Sequence, residues 1–111
     1  MIDETGEEAE FEAEARKAAL FQLLGSAHTL AILREFAAKP GPQRFSDLQD
    51  ELGISPTTLS DRLEELCEAG IIDRESHDEI PPRVEYRPTE KGQALRPILE
   101  AVADWIDEHE A

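Results

Sequence analysis

The sequence predicts a mainly α-helical chain with one small β-hairpin (α+β), folded as one domain. Three observations lead there. Apolar residues recur at helical spacing in five segments, Gly and Pro separate those segments, and two short runs flank a turn-like stretch over residues 76–82. Their order along the chain is helix, helix, helix, helix, hairpin, helix.

From about Glu8 to Leu24, Phe11, Ala15, Ala18, Leu20, Phe21 and Leu24 follow helical spacing, and glutamates in the first turns suit the positive end of a helix dipole. Gly25 stops this helix. Ser26 is placed to cap the next, which carries Leu30, Ile32, Leu33 and Phe36 and ends before Pro40-Gly41-Pro42. Arg44-Phe45 reads as a short extended piece. Ser46 then opens a third helix, with Leu48 and Leu52 inward and Gly53 as its stop. Ser55-Pro56 supplies an N-cap followed by proline at the first helical position. In the helix it opens, Leu59, Leu63 and Leu66 share one face, and Gly70 ends it. Ile71–Glu75 and Arg83–Arg87 are the hairpin runs, and Pro81-Pro82 fixes the start of the second while discouraging pairing with other chains. Thr89 caps a last helix carrying Leu95, Ile98, Leu99, Val102, Trp105 and Ile106, with Pro97 kinking or bending its first turns.

Charge narrows the function. The chain carries 26 acidic and 11 basic side chains, a net −15 over 111 residues. Seven acids and no base fall within residues 1–14; residues 1–9 are expected to be an acidic arm without fixed structure and residues 10–111 the folded domain. On its face such a charge argues against nucleic acid, whose recognition normally uses a basic footprint. The basic residues are eight Arg and only three Lys, and Asn is absent. This composition resembles that of proteins from salt-loving organisms, in which surface carboxylates hold hydration and molar salt screens their repulsion. An acidic protein of ordinary habitat with a basic partner is the alternative.

No apolar run approaches the roughly 18–20 residues of a membrane span, and the N-terminus has neither the positive charge nor the apolar stretch of a secretory signal. A cytoplasmic protein without a membrane partner is expected. The lone Cys67 excludes an intrachain disulfide framework and a multi-cysteine zinc site, and His28, His77 and His109 lie far apart. With no nucleophile–base arrangement and no phosphate-cradling glycine loop, neither an enzyme nor a cofactor or metal is expected.

Helix, tight turn at Leu52-Gly53-Ile54-Ser55, helix and hairpin form the layout of a winged helix-turn-helix. Glycine permits the bend, and Ile54 plugs the angle between the helices. Four stretches then carry a family likeness. They are Gly25-Ser26-Ala27-His28-Thr29-Leu30-Ala31-Ile32-Leu33, Arg44-Phe45-Ser46-Asp47-Leu48, Ile54-Ser55-Pro56-Thr57-Thr58-Leu59-Ser60-Asp61-Arg62-Leu63, and Pro81-Pro82-Arg83-Val84-Glu85-Tyr86 with Thr89-Glu90-Lys91-Gly92. In this order they resemble the HxlR-type winged-helix transcriptional regulators, in a haloarchaeal-like form, over residues 25–105. The chain departs at His28 and Ala27, where the family commonly has tryptophan and lysine, so no role is carried over to those two. The resemblance implies a homodimer that binds double-stranded operator DNA with paired half-sites. Some family members sense redox state through a cysteine near the N-terminus, where this chain has none.

The residues support a matching set of contacts. With Leu59, Leu63 and Leu66 inward, a 100° step per residue turns Thr57, Asp61 and Glu64 outward and puts Thr58, Ser60 and Glu65 on the flanks. The N-terminal part of a recognition helix meets bases, which singles out Ser55, Thr57, Thr58, Ser60 and Asp61. Hydroxyls serve phosphate or base, and Asp61 either accepts from a cytosine amine or pairs with Arg62. Arg62 either reaches a phosphate or pairs with a neighbouring carboxylate. Arg83, behind two prolines at the hairpin tip, is a rigidly presented cation for a minor groove or phosphate, or else pairs with Glu79 or Glu85. Arg44 is a further phosphate candidate, as is Arg74, each with structural pairing as the alternative. Glu64 and Glu65 oppose phosphate, so binding is expected only where salt screens them or with bridging cations. Phe11, Phe21, Leu95, Leu99, Val102 and Trp105 on the outer helices are the candidate dimer interface, or else they cover the core of a monomer. Any small-molecule effector is left open, and a winged-helix protein-interaction module that never binds DNA is the competing function.

Overall fold

The structure, a computed structural model, describes residues 4–39 and 41–110. Its elements run α1 (Glu4–Leu24), α2 (Thr29–Ala38), β1 (Gln43–Arg44), α3 (Phe45–Leu52), α4 (Pro56–Glu68), β2 (Ile72–His77), β3 (Arg83–Pro88) and α5 (Glu90–His109). The predicted mainly helical fold with a hairpin wing is the observed one. The two strands of the hairpin are antiparallel, pairing Ile72 with Pro88 through to His77 with Arg83, and Ile80-Pro81 in the connecting turn is a cis peptide.

A nine-residue apolar cluster closes the core. Ile32 and Phe36 come from α2, Leu48 from α3, Leu59, Leu63 and Leu66 from α4, and Ile71, Ile72 and Tyr86 from the sheet and the turn leading into it. The predicted inward face of α4 is therefore correct. Partly buried Leu20 and Leu23 bring the end of α1 onto this cluster, and Leu95 brings in the start of α5. The remainder of both long helices projects. The radius of gyration is 16.9 Å, against the ~13 Å expected of a compact chain of this length.

The hairpin strands run on to His77 and Pro88, beyond the expected ends at Glu75 and Arg87, and three further boundaries differ from expectation. First, α1 starts at Glu4 and not near Glu8, so Glu4–Ala9 continue the helix where net charge had suggested an arm without structure; residues 1–3 lie outside the described residues. Glutamate is a good helix former, and acids are favourable at this end of the helix dipole. Second, Ser26 does not cap α2. Its hydroxyl turns back to donate to the Gln22 carbonyl at 2.7 Å and so finishes α1, while the residue preceding α2 is His28 in the left-handed region, φ 70°. Third, Gln43–Arg44 is a true strand, β1, pairing antiparallel with β3 (Gln43 opposite Tyr86, Arg44 opposite Glu85), and α3 begins at Phe45 in place of Ser46.

The Thr89-Glu90-Lys91-Gly92 stretch docks α5 onto the sheet. The Thr89 amide donates to the Ile71 carbonyl at 3.0 Å, the Thr89 hydroxyl donates to the Gly70 carbonyl at 2.5 Å, and Lys91 Nζ donates to the Ala69 carbonyl at 2.6 Å. The same hydroxyl accepts the Gly92 amide at 3.1 Å, which makes it the N-cap of α5. Gly92 is required by space: a Cβ there would lie 2.1 Å from the Ile71 carbonyl oxygen. The helix then continues through Pro97 to His109.

Candidate nucleic-acid interface

The turn between α3 and α4 is built by Gly53, which sits at φ 64° and donates its amide to the Gln49 carbonyl at 2.8 Å. Only a residue without a side chain takes that conformation cheaply. Half-buried Ile54 packs on the core, as its position between the helices predicts. Ser55 then caps α4, its Oγ accepting the Thr58 amide at 3.2 Å and donating to Thr58 Oγ1 at 2.9 Å.

The outer face of α4 therefore divides in two. Its first turns present Ser55, Thr57 and Ser60 exposed and Thr58 half-buried, all of them hydroxyls, at the positive end of the helix dipole. Beyond them come Asp61, Glu64, Glu65 and Glu68, with Arg62 as the only cation of the helix. In the free protein Arg62 makes a carboxylate pair, and Asp61 is not its partner. Arg62 Nη1 pairs with Glu65 at 2.6 and 2.7 Å, and its Nε donates to the Ala27 carbonyl at 3.3 Å. Asp61 is exposed and takes part in no ion pair among the described residues.

The solvent face of the wing is a ladder of charges. Asp73 lies opposite Arg87, Glu75 opposite Glu85, His77 opposite Arg83, and Arg44 of β1 lies opposite Glu85 on its other side. Two facing carboxylates repel in a sheet, and here the Arg83 and Arg87 guanidiniums relieve them. Arg83 reaches Glu85 at 2.8 Å and Glu79 at 3.1 Å, His77 lies 3.2 Å from Glu85 and 3.8 Å from Glu75, and Arg87 pairs with Glu75. In the free protein Arg83 is thus held by the two glutamates named as its alternative partners. Arg74 donates to the Ser76 hydroxyl at 3.1 Å. Arg44 is exposed, and its backbone amide donates to Asp47 at 3.2 Å. Its guanidinium, like that of exposed Arg34 on α2, has no carboxylate partner among the described residues. Arg34 was not singled out from the sequence, where nothing distinguishes it from a solvated helix residue.

The candidate dimer residues fall into two groups. Phe11, Phe21, Val102 and Trp105 are 75, 75, 50 and 55 % exposed, a large apolar surface for one chain. Leu95 and Leu99 are half-buried, and Leu95 packs on the core. Ile98 and Ile106, 59 and 44 % exposed, join the exposed set. Along α5, Pro97, Ile98, Ala101, Val102 and Trp105 line an open apolar groove of about 600 Å³. Trp105 stacks on His109, their ring centroids 4.8 Å apart.

Cys67 is half-buried near the end of α4. Burial pushes its thiol up from the ordinary range, the Asp73 carboxylate adds to this, and Arg74 opposes it. Among the described residues no cluster of His, Cys, Asp and Glu is able to hold a metal ion, and no helix is long and apolar enough to cross a membrane.

This arrangement of helix-turn-helix, wing and outer helices defines a winged-helix regulator. Residues 23–111 match the HxlR-like helix-turn-helix family, and the chain belongs to it. The uncharacterised HTH-type transcriptional regulator Rv3095 of Mycobacterium tuberculosis is 43 % identical over 99 residues, covering 89 % of this chain and 61 % of its own length. An HTH-type regulator of Methanothermobacter thermautotrophicus is 44 % identical over 68 residues, 60 % of this chain and 52 % of that relative. The chain thus spans about three fifths of the length of the first of these curated relatives. Among solved structures, the reduced form of the transcriptional regulator YodB from B. subtilis superposes with a TM-score of 0.75 at 32 % identity, covering 83 % of this chain and 89 % of that one. The oxidised form of the redox regulator HypR superposes with a TM-score of 0.66 at 28 % identity, covering 84 and 94 %. These relatives come from bacteria and from Methanothermobacter, and none of them supports the haloarchaeal-like qualifier.

Proposed function

We propose that the chain is a homodimeric, sequence-specific regulator of transcription that binds double-stranded DNA, with α4 in the major groove and the β2–β3 wing on the adjacent groove or backbone. One observation carries this reading. In a chain of net −15, the exposed first turns of α4 are free of acid and bear four hydroxyls, on a helix whose other face is locked into the core. Thr57, Thr58 and Ser60 contact bases or phosphates, Ser55 holds the helix start, and Asp61 accepts from a cytosine amine. Arg44 and Arg83 serve phosphate or the minor groove. The exposed apolar faces of α1 and α5 meet their symmetry mates and set two recognition helices about 34–36 Å apart, or at a related spacing.

A net charge of −15 favours binding in concentrated salt. There both phosphate and carboxylate fields are screened within a few ångströms, and local groups decide. The test is DNA binding at molar KCl, on duplexes from upstream of the protein's own gene, by wild type, Arg83→Ala and Thr58→Ala. Wild type binds and both variants weaken; no binding by wild type at any salt would refute the reading. The pairing of Arg83 with Glu79 and Glu85 favours the second reading, an acidic winged-helix module that binds protein and no DNA. That module would ignore DNA throughout the titration.

A further inference from the structure

On sequence grounds Arg62 belongs with the DNA contacts, yet its geometry points inward. Its side chain is only 24 % exposed, although it sits on the helix that carries the exposed hydroxyls. The guanidinium reaches 35 residues back along the chain, where Nε donates to the Ala27 carbonyl. Ala27 lies in the loop that joins α1 to α2. That loop is tightly formed: Ser26 Oγ donates to the Gln22 carbonyl, the Thr29 amide donates to the Ser26 carbonyl at 3.2 Å, and His28 adopts a left-handed conformation. These turns aim the Ala27 carbonyl at α4, and among the described residues no backbone amide takes it. Glu65, one turn along α4, holds the rest of the guanidinium through Nη1.

We infer that Arg62 is a positioning residue that fixes the angle between α1 and the recognition helix α4, and does not contact phosphate. The inference rests on the proposed DNA reading, because the angle matters only if α1 carries the dimer contact and α4 the DNA contact. The root of α1 is then tied to α4 by one forked side chain. Two atoms of a planar guanidinium reach a carbonyl and a carboxylate at once, which a lysine ammonium on a flexible stem does not reproduce. Phe11 and Phe21 lie on α1, so the tie transmits the dimer geometry to the hydroxyls of α4. The spacing of half-sites that the dimer accepts follows from it.

The test compares wild type, Arg62→Lys and Arg62→Gln at molar KCl. The probe is the duplex that wild type selects from random DNA, together with versions whose half-sites are moved one base pair closer or farther apart. Both variants lose most of the spacing preference, a change of about fivefold or more, while log K against log salt keeps its wild-type slope. A phosphate-binding role gives a different result: Arg62→Lys retains affinity and spacing, and Arg62→Gln lowers the slope by roughly 0.9 for each phosphate no longer neutralised. A merely structural role lowers the melting temperature of both variants and leaves affinity and spacing unchanged. Either of these results overturns the inference.

A second arm needs no DNA. In a Cys67→Ser background, spin labels at Glu14→Cys and Glu64→Cys report the α1–α4 distance, with labelled chains diluted in unlabelled ones. The distance distribution broadens in Arg62→Gln, and an unchanged narrow distribution would count against the tie. If wild type selects no sequence, the DNA reading fails, and this arm still reports on the tie itself.

Discussion

Substituting Gly92 by Ala tests how α5 is held. The added Cβ would sit 2.1 Å from the Ile71 carbonyl oxygen, 3.1 Å from its carbonyl carbon and 3.3 Å from Ile71 Cγ2. The first two are backbone atoms, so no side chain is free to swing aside. Relief to ordinary contact moves the start of α5 by about an ångström, which stretches the Thr89 hydrogen bonds to Ile71 and Gly70. Overpacking of this kind costs about 1–3 kcal/mol, and each weakened hydrogen bond adds about 1 kcal/mol. Alanine returns at most about 1 kcal/mol through its better helix propensity. With three such bonds the net loss is about 3–5 kcal/mol, a fall of roughly 10 °C or more in Tm for a domain of this size. Circular dichroism melts at fixed high salt measure it. A Tm equal to or above wild type would refute the docking of α5 through this glycine, and with it the placement of the apolar α5 face.

Other substitutions probe the remaining parts. Thr29 is fully buried and its Oγ1 has no partner among the described residues; Thr29→Val removes an unsatisfied hydroxyl at near-constant shape and raises stability by about 1 kcal/mol in urea unfolding, whereas a clear loss would show that the hydroxyl is used. Because burial raises the Cys67 thiol, the folded state favours the protonated form. Its stabilising contribution is full below the ordinary thiol pKa and is lost as pH rises through the raised value; urea midpoints of wild type and Cys67→Ala therefore run parallel while the unfolded thiol stays protonated, and wild type loses relative stability once that thiol ionises, so equal slopes across the alkaline range would contradict this. The same protonated, half-buried thiol alkylates slowly at neutral pH, and mild peroxide leaves DNA affinity unchanged; a large shift would make Cys67 a redox switch. Glu79→Gln frees one side of Arg83 and removes a carboxylate from the wing tip, so DNA affinity rises severalfold and the gain is largest at lower salt. Weaker binding would mean that Glu79 presents Arg83 instead of restraining it.

Much of the fold was legible because it rests on local chemistry. Gly53 before a Ser-Pro start, leucines at 59, 63 and 66, and Thr89 before the last helix each act within a few residues, and each does what its spacing predicts. The misreadings come from partners distant in the chain or from competing local bonds. Ser26 has helix on both sides, and its hydroxyl bonds backward to Gln22. The strand at Gln43–Arg44 exists only because Glu85 and Tyr86 lie beside it, a pairing with no trace in the two-residue segment itself. Register was equally hidden: the wing's charges alternate visibly at 73, 75, 77 and at 83, 85, 87, but which faces which follows from the turn. At the candidate site, the hydroxyl face of α4 was readable from helical phase. The inward reach of Arg62 to Ala27 was not, since it depends on how two helices cross.

If α4 and the wing read a DNA sequence in a solvent where net charge no longer decides, binding must discriminate between sequences at high salt. The most direct test is fluorescence anisotropy of wild type against a duplex selected from random DNA and a scrambled duplex of the same composition, titrated from dilute to molar KCl. Clear preference for the selected duplex is expected, retained at molar salt and strongest where carboxylate repulsion is screened. Equal affinity for both duplexes, or binding to neither across the whole range, would contradict it.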